Sequence, residues 1–295
     1  MKELNLKGII AYPITPFSAC GERIDGDTLG LLIDRLIDSG CHAIAPLGST
    51  GESAYLNDKE WDEVAERSLS QVNRRVPVIV GISDLTTQNA IRRARFAQAH
   101  GADAVMVLPV SYWKLSEREI YRHYSRIAQA IDIPIMLYNN PATSGVDMSP
   151  ELIARIVREV DNVTMVKEST GDIQRMHRLA QLSDRRIPMY NGSNPLALEA
   201  FAAGAVGWCT AAPNLIPALN LRLYEAALAG DLQQARDLFY RQLPLLQFIL
   251  KGGLPTTIKA GLTLCGIDAG VPRLPLEALD EAETERLAAI LDTLR

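Results

Sequence analysis

The run Ile133-Pro134-Ile135-Met136-Leu137-Tyr138-Asn139-Asn140 carries the clearest architectural signal in this 295-residue chain. It is apolar at successive positions rather than at alternate ones, which is typical of a parallel strand buried on both faces. An amphipathic stretch, Glu117–Ala130, precedes it with apolar residues at helical spacing. A helix followed by a doubly buried strand predicts an α/β fold with a parallel sheet.

Seven further apolar runs repeat this pattern, and amphipathic stretches such as Asp27–Ser39 and Thr87–His100 lie between them. Pro77, Pro134 and Pro188 each begin such a run, and their separations of 57 and 54 residues indicate a regular strand–helix repeat. The eight predicted strands are Gly8–Pro13, Ala43–Ser49, Pro77–Asp84, Asp103–Val110, Ile133–Asn140, Val163–Thr170, Ile187–Ser193 and Val206–Pro213.

Eight strand–helix units that end near residue 225 favour a TIM (β/α)8 barrel over an open, doubly wound sheet, which usually has fewer strands. No GxGxxG motif follows the first run, and no strand pattern follows Ile216. We therefore predict a catalytic barrel over residues 1–225 and a C-terminal helical extension over residues 226–295. The helices predicted near and within this extension are Leu219–Ala229, Asp231–Ile249, Pro255–Cys265 and Leu276–Leu294.

The composition, 47% hydrophobic and 22% charged, is that of an ordinary globular protein and excludes a disordered chain. A net charge of −5 with scattered Lys and Arg argues against nucleic-acid binding. The apolar runs are too short to span a membrane. The four cysteines have no CxxC spacing and Met1–Leu4 lacks a signal-peptide core, so we expect a cytoplasmic protein. The histidines lack metal-ligand spacing, so no metal site is expected, and His100 and His123 are expected to be solvated.

Active sites of such barrels form at the carboxyl ends of the strands. After the second predicted strand, the segment Gly48-Ser49-Thr50-Gly51-Glu52 places two hydroxyls between two glycines and precedes a predicted helix. Backbone N–H groups in such a loop can bind an anion, and a helix N-terminus favours negative charge. The alternative is a plain tight turn without a ligand.

Lys167 comes at the end of the apolar run in the predicted strand Val163–Thr170, and lysine is rarely buried without a reason. A neutral buried amine can attack a carbonyl group to form a Schiff base. Because an ordinary lysine has a pKa near 10.4, only about one amine in 2,500 is neutral at pH 7, and burial raises that fraction. The alternative is a structural lysine whose head group reaches solvent or pairs with Glu168.

Three further segments could contribute to the same site. Tyr138, one strand away from Lys167, could transfer protons, although a core tyrosine is the commoner situation. Tyr112 lies on the loop after the fourth predicted strand, where aromatic residues could line a site or a subunit contact. Gly192 and Cys209, after the seventh and eighth strands, leave room for a ligand. These last two loops also keep open a phosphate-binding barrel enzyme.

Together these motifs resemble the dihydrodipicolinate synthase/N-acetylneuraminate lyase superfamily. The resemblance rests on GSTGE at residues 48–52, YNNPATSG at 138–145, KESTG at 167–171 and YPITPF at 12–17. It implies a TIM barrel with a C-terminal helical extension and a class I, pyruvate-type lyase that needs no metal or organic cofactor. It also implies a homotetramer built from dimers, acting on pyruvate and an aldehyde or sugar-acid co-substrate.

The resemblance assigns roles to individual residues. It implies that Lys167 forms the Schiff base and that Tyr138 transfers protons. Ser49 and Thr50, together with Gly48, would hold the carboxylate of the 2-oxo acid, and Thr50 would also join the proton relay. The family's second relay tyrosine comes from the partner across the dimer contact. Tyr112 is the nearest candidate for that tyrosine, although its spacing from Pro109 differs by about one residue from the family pattern.

Thr143 departs from the family pattern, because dihydrodipicolinate synthases usually carry an arginine at this position that binds the carboxylate of the aldehyde. A threonine cannot provide a charge-assisted, bidentate contact. We therefore predict a lyase that makes or breaks a C–C bond, or dehydrates, through a lysine imine of pyruvate or a related 2-oxo acid, with a sugar-derived 2-oxo acid as one candidate substrate. The alternatives are a true 4-hydroxy-tetrahydrodipicolinate synthase, which joins pyruvate and aspartate semialdehyde, and a non-catalytic barrel that binds 2-oxo acids.

Overall fold

A closed ring of parallel strands forms the centre of the molecule. The computed structural model describes residue 4 and residues 6–18 and 21–295; Cys20 and most of the segment Met1–Leu4, which entered the location prediction, lie outside them. The strands follow the sheet order β2-β1-β8-β7-β6-β5-β4-β3, and the single parallel bridge Ile44–Val78 joins the two ends. The eight strands are β1 Gly8–Ala11, β2 Ala43–Ile44, β3 Ile79–Gly81, β4 Ala104–Val107, β5 Ile135–Asn139, β6 Val163–Glu168, β7 Met189–Asn191 and β8 Gly207–Thr210.

The TIM barrel expected from the sequence is confirmed, and every predicted strand contains an observed one. The observed strands are shorter, because only the middle of each apolar run is hydrogen-bonded to its neighbours and the flanks belong to loops. The second run is the extreme case. It was predicted as Ala43–Ser49, but the ladder covers only Ala43–Ile44, and Leu47 adopts a left-handed backbone with φ 62°.

Helices connect the strands and cover the outside of the barrel. Most of their boundaries agree with the predicted amphipathic stretches, but the last helix was predicted to begin at Leu276 and begins at Glu281, where the Asp280 side chain caps it. Helix α2 (Asp58–Val72) begins with a full capping box, in which Asn57 and Glu60 satisfy each other's backbone N–H groups. No helix in residues 6–18 and 21–295 is long and apolar enough to cross a membrane. The helices are α1 Gly26–Asp38, α2 Asp58–Val72, α3 Thr87–Ala99, α4 Glu117–Ala128, α5 Pro141–Ser144, α6 Pro150–Glu159, α7 Ile173–Leu182, α8 Ala197–Ala202, α9 Pro217–Leu228, α10 Leu232–Gly252, α11 Leu254–Leu264 and α12 Glu281–Asp292.

Two separate apolar layers explain why the strands are apolar on both faces. Successive residues of a strand point to opposite faces, so Ile9 and Ala11 join the layer between sheet and helices. Ile10 and Tyr12 join a smaller cluster that fills the inside of the barrel. Lys167 has the same parity in β6 as Met165, which belongs to the inner cluster, so its side chain also faces the barrel interior.

The C-terminal helices are continuous with the barrel. Helix α10 packs along α9, where the Asn220 side chain donates a hydrogen bond of 2.7 Å to Gln242 in a fully buried contact. Helix α11 packs against the turn that follows β2. Helix α9 itself spans residue 225, so the predicted division between residues 225 and 226 runs through a helix. That division stays a prediction.

Candidate active site

Lys167 and Tyr138 lie side by side at the carboxyl ends of β6 and β5. Register pairs Tyr138 with Lys167 across the two parallel strands, and both side chains are buried. The Lys167 Nζ atom lies 3.9 Å from the centroid of the Tyr138 ring and 4.0 Å from that of Tyr12, which follows β1. The amine is therefore held between two aromatic rings inside the barrel.

Lys167 has no carboxylate partner. Among the ion pairs of the described residues, none within 4.0 Å involves its amine, so the alternative of a salt bridge with Glu168 is wrong. Glu168 points to the other face of β6, where Arg175 lies 3.3 Å from it and the backbone N–H of Thr170 donates to it. The neutral amine is the nucleophile in Schiff-base formation, and no carboxylate of the described residues competes for it.

The surroundings of Lys167 are neutral as well as buried. Burial raises the pKa of Tyr12 well above its usual value, and its hydroxyl donates a hydrogen bond of 3.0 Å to the Met106 sulfur. Burial also raises the pKa of the Cys209 thiol, which faces the barrel interior. A protonated thiol is a poor nucleophile. The Cys209 side chain therefore contributes a small, unreactive surface to the wall of the site.

Gly192 borders the reactive end of Lys167. A Cβ atom at this position would lie 2.8 Å from Cε of Lys167 and 1.7 Å from Oγ of Ser169. Only glycine allows so close an approach of the β7 end to the lysine. The sequence predicted Gly192 as a ligand contact because it is small, and the structure places it directly against the lysine side chain.

The turn with Ser49 and Thr50 follows β2 and lies against Tyr12. A Cβ atom on Gly48 would come within 2.8 Å of the Tyr12 ring, so glycine lets the turn approach that ring. Thr50 is buried and Ser49 half-buried. The predicted helix follows this segment, but not directly: two single 3₁₀ turns, Ser49–Gly51 and Ser53–Tyr55, intervene before α2. Any anion at this turn would bind backbone N–H groups and hydroxyls without a long helix dipole.

Two predicted site residues lie on the surface of the chain. Tyr112 is 90% exposed, and its ring meets that of Trp113 edge to face with centroids 6.0 Å apart. Among the described residues, no hydrogen bond or ring contact joins it to Lys167 or Tyr138. Thr143 is exposed on the short helix α5. Neither residue is brought against Lys167 by the fold of a single chain.

Three residues near Lys167 were not identified from the sequence. Tyr12 supplies the second ring, although the YPITPF segment was noted. Asn140 donates a hydrogen bond of 2.8 Å from its amide to the Tyr138 hydroxyl oxygen, and its i+2 spacing from Tyr138 could have indicated this. Ser169 has the same spacing from Lys167. Its hydroxyl is buried and has no hydrogen-bond partner within the described residues.

The described residues contain no group of three or more His, Cys, Asp and Glu side chains that could hold a metal ion.

Comparison with known proteins identifies the family. Residues 5–294 match the model of the dihydrodipicolinate synthetase family. The chain is 35% identical to the 4-hydroxy-tetrahydrodipicolinate synthase of Methanoculleus marisnigri, over 97% of this chain and 98% of that protein. The corresponding enzyme of Thermomicrobium roseum is 36% identical, over 97% and 94%.

Solved structures agree with the sequence relatives. A Pseudomonas aeruginosa protein, provisionally named a dihydrodipicolinate synthetase, is 65% identical, with a TM-score of 0.97 over 99% of this chain and 100% of that one. Dihydrodipicolinate synthase of Aquifex aeolicus is 31% identical, with a TM-score of 0.93 over 97% of each chain. The resemblance read from the sequence motifs is confirmed. The chain belongs to the dihydrodipicolinate synthetase family and is a Schiff-base lyase of the class I aldolase type.

Proposed function

We propose that this enzyme forms its Schiff base at Lys167 with pyruvate or a related 2-oxo acid. The observation that carries the proposal is the position of the Lys167 amine, buried between Tyr12 and Tyr138 with no carboxylate of the described residues beside it. Membership of the family supports a lysine imine, and β6 carries this lysine at its carboxyl end, where barrel enzymes perform their chemistry.

The reaction begins when the lone pair of Lys167 Nζ attacks the keto carbon and gives a carbinolamine. The former keto oxygen then leaves as water, after receiving protons, and a protonated imine remains. Tyr138 lies opposite Lys167 on the neighbouring strand β5, with its ring against the amine, and we assign this proton transfer to it. The imine withdraws electrons from the adjacent carbon. Loss of a proton there, or cleavage of the C–C bond, yields an enamine that can attack an aldehyde in the reverse direction.

The turn Gly48–Glu52 is our candidate for the site of the substrate carboxylate. Ser49 and Thr50 offer hydroxyl groups and backbone N–H groups at the mouth of the barrel, next to Tyr12. Such an arrangement binds an anion by hydrogen bonds without needing a cation. We include Thr50 in the proton relay, as the family resemblance implies.

We further propose that the second substrate is a hydroxylated, sugar-derived 2-oxo acid or its aldehyde fragment. Helix α5 carries no charged residue, and Thr143 is exposed on it. Arg175 reaches the same loop through the carbonyl oxygen of Met148, but it is already paired with Glu168 and Asp147. The hydroxyl of Ser169, which has no hydrogen-bond partner within the described residues, lies beside Lys167 and can both donate to and accept from a substrate hydroxyl.

The competing assignment is 4-hydroxy-tetrahydrodipicolinate synthase, the name carried by the Methanoculleus marisnigri relative. A panel of 4-hydroxy-2-oxo and 3-deoxy-2-oxo acids, assayed by pyruvate release, tests the proposal alongside aspartate semialdehyde consumption. We expect turnover of at least one hydroxylated acid and little consumption of the semialdehyde. Thr143→Arg should increase semialdehyde consumption. Rapid consumption by the unaltered enzyme would contradict the proposed substrate class.

A non-catalytic barrel is the remaining alternative. It predicts that pyruvate raises the melting temperature without any borohydride-trapped adduct and that no acid of the panel is turned over. Retention of Lys167, Tyr138 and Thr50 within one barrel mouth favours catalysis over this alternative.

We also propose a cytoplasmic homotetramer built from dimers, with Tyr112 completing the proton relay of a partner. Exposure of the Tyr112–Trp113 ring pair supports a subunit contact at this loop. Light scattering should give four times the mass of one chain. Tyr112→Phe should slow turnover without changing that mass, whereas an unchanged rate would remove Tyr112 from the relay. Cell fractionation tests the location.

A further inference from the structure

The turn that follows β2 is strained at both ends. Leu47 and Glu52 adopt left-handed backbone conformations, with φ of 62° and 53°. Residues with a Cβ atom avoid this region, and they persist there only when the surroundings hold them in place. Ser49 and Thr50 lie between these two residues. The geometry of the proposed carboxylate site therefore depends on the groups that hold the ends of the turn.

Barrel residues hold the first half of the turn. Gly81 of β3 donates its backbone N–H to the carbonyl oxygen of Pro46 at 3.0 Å. A Cβ atom on Gly81 would lie 2.1 Å from the carbonyl oxygen of Leu47, so this contact requires glycine. The hydroxyl of Thr15 donates a hydrogen bond of 2.7 Å to the carbonyl oxygen of Gly51.

The C-terminal extension holds the second half. Lys259 of α11 places its Nζ atom 2.5 Å from Oε1 of Glu52. The backbone N–H of Arg273, in the segment after α11, donates a hydrogen bond of 2.7 Å to Oε2 of the same carboxylate. Both oxygens of Glu52 are thus bound by residues that lie far beyond the eighth strand.

The Lys259–Glu52 pair is unusually well shielded from solvent. The two side chains are 2% and 0% exposed. The Lys259 amine also donates a hydrogen bond of 3.0 Å to the carbonyl oxygen of Val271 and lies 4.1 Å from the centroid of the Phe17 ring. Breaking a buried pair by removing one partner leaves an uncompensated charge, which the structure must relieve by moving.

We propose that Lys259 is a positioning residue for catalysis: it fixes Glu52, and through Glu52 it fixes the turn that presents Ser49 and Thr50 to the substrate carboxylate. This inference rests on the proposed function of that turn. It gives the helical extension an indirect part in substrate binding, through Glu52 and the turn.

The test compares Lys259→Met with the unaltered enzyme. Methionine has a similar length and can still pack on Phe17, but it leaves Glu52 without its counter-charge. Imine formation is measured by borohydride trapping over a range of pyruvate concentrations. We expect the half-saturating pyruvate concentration to rise at least about tenfold, while the trapping rate at saturation changes little, because the lysine and its tyrosines are untouched. Glu52→Gln, which keeps the side chain's shape, should raise the half-saturating concentration as well.

Asn220→Leu is the matched control, because it breaks a fully buried polar contact between α9 and α10 that does not reach the turn. It should lower stability without changing half-saturation. Unchanged half-saturation in both Lys259→Met and Glu52→Gln would overturn the inference. So would loss of the fold in both, because the pair would then serve the fold and not the turn. Absence of any adduct in the unaltered enzyme would instead refute the proposed function.

Discussion

The hydroxyl group of Tyr138 is proposed to transfer the protons that imine formation requires. Tyr138→Phe keeps the ring that lies 3.9 Å from Lys167 and removes only the oxygen that accepts the Asn140 hydrogen bond. We expect imine formation to slow at least about 100-fold, the lower range for a lost acid–base group. Rapid quenching with borohydride measures the rate.

Tyr124→Phe is the control for this prediction. Tyr124 is also fully buried and donates a hydrogen bond of 2.8 Å to the carbonyl oxygen of Val107, but it lies in the outer apolar layer and meets Tyr138 only at the backbone N–H of that residue. It should cost about 1 kcal/mol of stability and leave the rate of imine formation unchanged. An unaltered rate in Tyr138→Phe would show that another group transfers the proton.

Gly192 gives a steric prediction at the same scale. In Gly192→Ala the new methyl group would meet Cε of Lys167 and Oγ of Ser169, so the lysine must leave its position between the rings. We expect loss of most borohydride trapping in a protein with an unchanged circular dichroism spectrum. Gly30→Ala is the control, because its methyl group would meet only the flexible Gln71 side chain on the outside of α1. Normal trapping by Gly192→Ala would contradict the described geometry.

The sequence is sufficient to predict the functional residues at the ends of strands. It does not predict which side chains from distant parts of the chain contact them. Lys167 and Tyr138 are recognisable because a polar group ends an apolar run. Tyr12 follows β1, which is three strands away from β6 in the barrel. Its contact with Lys167 therefore depends on the curvature of the whole sheet and not on local spacing. The partner of Glu52 is 207 residues away at Lys259, and no local pattern reveals such a pair.

Helix α4 shows where element-level prediction fails. The periodicity predicts the span of this helix correctly. The prediction that His123 is solvated is wrong. The ring is half-buried against α3, where Nδ1 lies 2.9 Å from the Thr87 hydroxyl and Nε2 is buried without a partner among the described residues. Periodicity identifies the apolar face of a helix, but a residue at its border is buried or exposed according to the neighbouring helix.

This burial predicts a pH dependence of stability. Burial lowers the pKa of His123 to about 4, against a small opposing effect of Asp84. The unfolded chain, with a histidine pKa near 6.5, therefore binds more protons than the folded one between these values. The stabilising contribution of His123 is complete above pH 6.5 and is lost as the pH falls towards 4, by up to about 3 kcal/mol.

Urea unfolding at pH 7.5 and pH 5 measures this contribution. His123→Gln should flatten the dependence of the unfolding free energy on pH, since the variant has no group that titrates there. His100→Gln is the control at an exposed position, and it should show the same pH dependence of the unfolding free energy as the unaltered protein. Equal pH dependence of the His123→Gln variant and the unaltered protein would assign the effect to other groups.

At the scale of the whole molecule, the repeat of strand and helix was enough to predict the barrel and the helical character of the C-terminal region. It did not show how tightly that region is joined to the barrel. The buried contacts Asn220–Gln242 and Glu52–Lys259 connect residues that are distant in sequence, and such contacts have no local signature. The sequence therefore predicts a helical extension but not its buried contacts with the barrel.

These contacts predict that barrel and extension unfold as one cooperative unit. All three tryptophans, Trp61, Trp113 and Trp208, lie in the barrel, whereas α10 is the longest helix of the described residues and lies in the extension. Tryptophan fluorescence and far-ultraviolet circular dichroism should therefore give coincident urea transitions. An earlier loss of helix signal, before the fluorescence change, would show that the extension unfolds independently.

The most direct test of the account is the identity of the lysine that forms the imine. The enzyme is incubated with pyruvate, reduced with borohydride, digested and analysed by mass spectrometry, with Lys167→Ala treated in parallel. We expect one reduced adduct, on the peptide that contains Lys167, and no adduct in the folded Lys167→Ala variant. An unmodified Lys167 in folded enzyme that binds pyruvate, or an adduct on another lysine, would contradict it.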